Sequence, residues 1–132
     1  MRVLLTFLLL NSSLYLFGQS INQKELYGCW EVKRIDNKIF QGGVITYFEF
    51  TEDQLLFAKT KDNKEHGVLK NNTLIGKYKI KNNLLIIEEQ PNTYRLSFKE
   101  NKDSNQELIM EELALNTQKI IQTSYLIKWK KQ

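Results

Sequence analysis

From Gly28 to Lys130 apolar and polar residues alternate along one short segment after another, and turn residues separate the segments. A period of two is the signature of half-buried β-strands, because successive side chains leave a strand on opposite faces. The clearest case is Leu74-Ile75-Gly76-Lys77-Tyr78-Lys79-Ile80-Lys81, with Leu74, Gly76, Tyr78 and Ile80 on one face and three lysines on the other. Asn82-Asn83 follows, a pair that tolerates the positive φ of tight hairpins. Leu84 to Glu89 returns as the partner strand, and Pro91-Asn92 makes the next turn. Thr93 to Lys99 alternates again, with Tyr94, Leu96 and Phe98 together, and Arg95 opposite them.

The same pattern gives strands at Gly28–Ile35, Ile45–Thr51, Leu55–Lys59, Glu107–Leu113 and Ile120–Lys130. That makes eight strands, and a short ninth fits around Val68-Leu69. The spacing is about 8 to 12 residues and nearly every connection is hairpin-short. An antiparallel meander of eight strands with one apolar face closes most readily into a barrel. A two-sheet sandwich is the alternative, but it calls for longer crossing connections than this chain offers. Asn22 to Tyr27 is the one helical turn, with Asn22 as its cap and Glu25 three residues on.

The first twenty residues read differently. Arg2 is their only charge, an apolar run spans Val3 to Phe17, and Gly18-Gln19-Ser20 is small and polar. This is the layout of a cleaved secretory signal peptide, its apolar middle helical. The run is shorter than the roughly 20 residues a spanning helix needs. The expected division is therefore a signal peptide over 1–20 and one domain over 21–132, exported to the periplasm or beyond. The whole chain carries a formal +4, and export removes one of its basic residues. So small an excess, with Lys and Asn scattered, points away from nucleic acid.

Cys29 is the single cysteine, so no disulfide forms within one chain. Leu26-Tyr27-Gly28-Cys29 superficially matches a lipidation signal, but polar residues separate it from the apolar run, and a soluble, unanchored protein is expected. Alternation turns Cys29 away from Trp30, toward partial burial under the N-terminal turn.

Chemistry has little to draw on. His66, the only histidine, stands in the polar hairpin end Asp62-Asn63-Lys64-Glu65-His66-Gly67, where a solvated loop is the better reading than a metal site. A Ser/His/Asp arrangement lacks a base, and no glycine-rich phosphate loop is present. No cofactor is implied, and an enzyme is not expected. Of the paired acids, Glu88 shares a face with Leu84 and Ile86, and Glu112 with Leu108 and Met110; each either points into a ligand cavity or stands at the open rim, and the rim is the better reading. Arg34 has the parity of Trp30 and Val32, which makes it the candidate to hold an acidic headgroup at the mouth, against the plainer reading of a rim residue bonded to solvent.

Gly28-x-Trp30 on the first strand, within Leu26-Tyr27-Gly28-Cys29-Trp30-Glu31-Val32, resembles the opening motif of lipocalins. The mature chain is similar to the short lipocalin-like proteins that bacteria export. Phe48-Glu49-Phe50-Thr51-Glu52-Asp53 resembles their aromatic second strand and acidic turn. Gly76-Lys77-Tyr78-Lys79-Ile80 with Asn82-Asn83 and Leu84 resembles their Gly-x-Tyr hairpin, and Tyr125-Leu126-Ile127-Lys128-Trp129-Lys130 their closing strand. The Thr-Asp-Tyr segment of larger lipocalins is not found. The resemblance implies an eight- or nine-stranded barrel, with Lys128 or Lys130 stacked over Trp30.

Alternation assigns eight aromatics to the interior: Trp30, Phe48, Phe50, Tyr78, Tyr94, Phe98, Tyr125 and Trp129. Such a lining either binds a hydrophobic or amphipathic small molecule or fills the interior outright. The expected function is reversible binding of such a molecule by a monomer. The alternative is an interaction module of the cell envelope, with a filled barrel and a protein partner held by loops such as Lys61 to Asn72.

Overall fold

A computed structural model describes residues 21–39, 44–62, 70–100 and 106–129. The proposed signal segment, the loop carrying His66 and Val68-Leu69, and Lys130 lie outside the described residues.

The first element among the described residues is a helical turn, α1 (Gln23–Leu26), capped by Asn22, whose side chain accepts from the Lys24 backbone N–H at 3.1 Å. Nine strands follow among the described residues: β1 (Gly28–Ile35), β2 (Lys38–Ile39), β3 (Val44–Phe50), β4 (Leu55–Asp62), β5 (Lys70–Lys81), β6 (Leu84–Ile87), β7 (Thr93–Glu100), β8 (Gln106–Leu113) and β9 (Ile120–Lys128). They form one antiparallel sheet. From β3 to β9 each strand pairs with the next in sequence, and β1 pairs with both β3 and β9, so the hydrogen bonds close in a ring of eight strands. The two-residue β2 is appended to the end of β1. Closure removes the unpaired edges that an open meander of this length would expose.

The turns follow from local chemistry. Asn82 takes φ +58° in the β5–β6 turn, Asp36 takes +51° after β1, and Gln118 takes +56° between β8 and β9. Gly28 enters β1 at φ +115°, where a side chain is strained. A Cβ there would also stand 3.1 Å from Cε of Lys128.

Register places the core. Gly28, Trp30 and Val32 of β1 face inward, and their partners follow suit: Phe50, Phe48 and Leu126. From Leu126 the row continues to Leu108 and Phe98. Leu26, Trp30, Leu85, Leu108 and Leu126 have no exposed surface, and Phe50 and Leu96 have almost none. All belong to one hydrophobic cluster.

Two of the four register shifts among the described strands bear on the expected inner face. Between Val32 and Arg34 the β1–β9 register slips by one residue. One extra residue reverses the alternation beyond it. Ile35 therefore packs on the core, and Arg34 lies opposite Tyr125 on the outer face. In β5, Leu56 pairs with Gly76 but Phe57 pairs with Leu74, which makes Ile75 the bulged residue. Leu74, placed with Tyr78 by simple alternation, is instead 53% exposed, while Ile75 packs inward.

Candidate functional site

The two ends of the ring differ. At the end where β1 begins, α1 lies across the opening. Ile21 N–H donates to Oδ1 of Asn83 at 3.2 Å, tying the segment before α1 to the β5–β6 turn. Leu26 is buried, and its carbonyl accepts from Nε1 of Trp30 at 2.8 Å. The Trp30 ring stacks on Phe98 with centroids 5.9 Å apart. Lys128 also packs on Trp30, with Nζ 4.8 Å from the indole centroid, and donates to the Tyr27 carbonyl. Burial holds the Lys128 ammonium below its ordinary pKa. Phe50 meets Tyr78 edge to face at 5.3 Å, and the Tyr78 hydroxyl donates to the Thr51 carbonyl at 2.9 Å. Burial is the main cause that pushes the Tyr78 phenol up to about 12. This end is filled with side chains.

Toward the other end the packing opens. A cavity of ≈ 270 Å³ has a floor and walls of Phe48, Leu56, Ile75, Ile87 and Met110. Its polar side is Gln90, Tyr94, Glu112, Gln122 and Ser124. The polar side is built by register: Tyr94, Glu112 and Gln122 are direct cross-strand neighbours on β7, β8 and β9, and Ser124 pairs with Met110 one row deeper. Oε2 of Glu112 accepts from Nδ2 of Asn92 at 3.0 Å. Burial, and then the charge of Glu112, raise the Tyr94 phenol above its ordinary pKa, so it stays a neutral hydroxyl. A hydroxyl, a carboxylate and three further polar side chains thus border an apolar pocket. That arrangement can seat a small molecule with one polar end.

Six of the eight aromatics assigned inward lie on the inner face. Trp30, Phe50, Tyr78 and Phe98 fill the capped end, and Phe48 and Tyr94 line the cavity. Tyr125 and Trp129 are corrections. The pairing of Val32 with Leu126 and Trp30 with Lys128 fixes β9 so that Ser124, Leu126 and Lys128 point in, and the odd-numbered residues point out. Tyr125 carries the Arg34 guanidinium over its ring at 3.8 Å. Trp129 packs edge to face on Tyr47 at 5.5 Å. Arg34 is corrected with them: the bulge removes it from the mouth.

The outer face holds a second organised patch. Trp129 and its neighbours leave Tyr47 only 1% exposed, and the Tyr47 hydroxyl donates to Oε1 of Glu31 at 3.3 Å. Burial first, then Glu31, push this phenol up to about 12. Cys29, buried and turned outward, donates weakly from Sγ to Oε2 of Glu49 at 3.6 Å, and Glu49 also pairs with Lys59 at 2.9 Å. Burial and the Glu49 carboxylate raise the Cys29 thiol, which keeps it protonated and poorly nucleophilic. Arg95 faces out and grips Glu111 through two bonds of 3.0 and 3.2 Å.

Glu112, whose shared parity with Leu108 and Met110 allows either the interior or the rim, lines the cavity itself. Gln122, Ser124 and Ile75 are site residues that alternation from the strand centres did not find. The signal for Gln122 and Ser124 lay in Lys128, whose place over Trp30 sets the parity of β9 from Gln122 onward; Ile75 faces inward because of the bulge in β5. No protein-family model, curated protein or solved structure matches this chain.

Proposed function

We propose that the protein is a small exported, lipocalin-like β-barrel that reversibly binds a small amphipathic molecule in the open half of its barrel, with no chemistry performed on it. The observation that carries this reading is the division of the interior: one end packed solid around Trp30, the other holding a ≈ 270 Å³ cavity with an apolar floor and a polar side. Ligand pockets run upward from about 300 Å³, so this one suits a small guest. A cavity of about 150 Å³ holds benzene, so the present one accommodates roughly ten non-hydrogen atoms. Long acyl chains and sterols exceed it.

The closed ring, Gly28 and Trp30 at the start of β1, and Lys128 over Trp30 support the lipocalin-like reading. The signal-like composition of residues 1–20 supports export as a single domain over 21–132. The setting of Cys29 supports an unlipidated chain. Cleavage before Cys29 would sever α1, whose Leu26 carbonyl bonds the Trp30 indole. The test is uptake of small amphipaths by the wild-type chain against Met110→Trp, in which a bulkier side chain occupies the cavity. Binding by the first and its loss in the second is the expected result. Equal binding by both overturns the reading.

One observation favours the alternative of an envelope interaction module. Ile39, Val44, Leu115, Ile120 and Ile121 are each 44–67% exposed, and all lie on strands or turns at the open end. Contiguous exposed apolar surface marks interaction sites. Under that reading Ile121→Ser abolishes capture of a protein partner and leaves small-molecule uptake untouched.

A further inference from the structure

Resting on the reading of the cavity as a ligand site, we propose that the polar end of its guest is a cation, a small amine carried on an apolar body, held by Glu112. Glu112 is the only charged side chain among the described residues that line the cavity. One of its carboxylate oxygens accepts from Asn92. No second hydrogen bond or ion pair of the Glu112 side chain is found among the described residues, and that side chain lines the cavity.

The groups around it suit an ammonium. An amine offers up to three N–H donors and no acceptor once protonated. Tyr94 and Gln122 flank Glu112 in the same cross-strand row, and Gln90 and Ser124 complete the polar side; each supplies an oxygen that can accept. The aromatic rings of Phe48 and Tyr94 line the same space, and a cation is attracted to an aromatic face. No lysine, arginine or histidine among the described residues borders the cavity, so a carboxylate guest would meet Glu112 with nothing to offset the repulsion. The excess of basic residues over the whole chain does not reverse this, since charges beyond a Debye length of about 8 Å are largely screened while a recessed acid is not. The acidic headgroup expected from Arg34 loses its partner once Arg34 is outside, and the sign of the site changes.

The experiment compares three probes of nearly equal shape by isothermal titration calorimetry on the purified product of the full-length gene: 2-phenylethylamine, 2-phenylethanol and 3-phenylpropanoate. The amine is expected to bind at least tenfold more tightly than the alcohol, and the carboxylate more weakly than either. Glu112→Gln keeps an acceptor for Asn92 and is expected to bring the amine to the affinity of the alcohol while leaving the alcohol unchanged. Equal binding of amine and alcohol by the wild-type protein, or an amine preference that survives Glu112→Gln, overturns the proposal and leaves the cavity reading standing. Binding of none of the three overturns both. The wild-type comparison stands alone if Glu112→Gln does not fold.

Discussion

Lys128, the last residue of β9, holds its ammonium 4.8 Å from the ring centroid of Trp30, the third residue of β1, and so joins the two ends of the meander over the filled end of the ring. The contact does several jobs at once. The lysine stem covers the indole, the ammonium donates to the Tyr27 carbonyl, and the pairing of the two residues fixes which side of β9 faces inward.

Lys128→Met keeps the stem and removes the charge. It is expected to cost about 0.5–2 kcal/mol, the range of a cation–π contact from exposed to desolvated. Lys128→Ala should cost more, because it also uncovers the indole. Urea unfolding of the two variants checks the order; an Ala variant as stable as the Met variant would remove the packing role.

Trp30→Phe retains most of the apolar volume and deletes the N–H that bonds the buried Leu26 carbonyl. An orphaned buried acceptor costs about 1–3 kcal/mol. Thermal unfolding should register that loss, while affinity for a cavity probe stays as in the wild type, since Trp30 lies at the packed end.

Gly28→Ala is expected to destabilise by more than about 1 kcal/mol, since φ +115° is unfavourable to alanine and the new Cβ would press on Lys128. Combining it with Lys128→Ala should reduce the penalty by removing the steric part. Additive effects in the double-mutant cycle would show that backbone strain alone is responsible.

Tyr47 and Tyr78 hold their protons up to about 12 in the folded protein, against 10.0 for a free phenol. A folded-state pKa raised in this way stabilises the fold fully below about pH 10 and loses that contribution as the pH climbs toward 12. The two phenols together should make unfolding progressively easier above pH 10, by at most about 2–3 kcal/mol each. Lys128, with its lowered pKa, acts in the opposite sense in the range just below its ordinary value. Absorbance titration at the tyrosinate band should show a late-ionising set that includes Tyr94, and Tyr47→Phe and Tyr78→Phe should each delete one late phenol.

The fold was legible because the periodicity is regular where strands pair centrally. Phe48-Glu49-Phe50 and Tyr94-Arg95-Leu96-Ser97-Phe98 place their aromatics as alternation predicts, and Asn82 takes the positive φ its turn calls for. The site was legible only in part, for three physical reasons. A bulge after Val32 turns Arg34 outward, and nothing in the local pattern signals an extra residue. A second bulge exchanges Leu74 for Ile75. On β9 the more apolar face is the outer one, with Tyr125, Ile127 and Trp129 covering neighbours such as Tyr47, and the inner face carries Gln122 and Ser124 because it lines a partly polar cavity. Hydrophobicity assigns faces correctly only where the interior is the apolar side.

The most direct test of the divided interior is amide chemical-shift mapping during titration with 2-phenylethylamine. The account predicts shifts confined to the open half, at Ile75, Tyr94, Met110, Glu112, Gln122 and Ser124, with Leu26, Trp30 and Leu126 unmoved. Shifts centred on Trp30, or on the outer face around Tyr47 and Trp129, would contradict it.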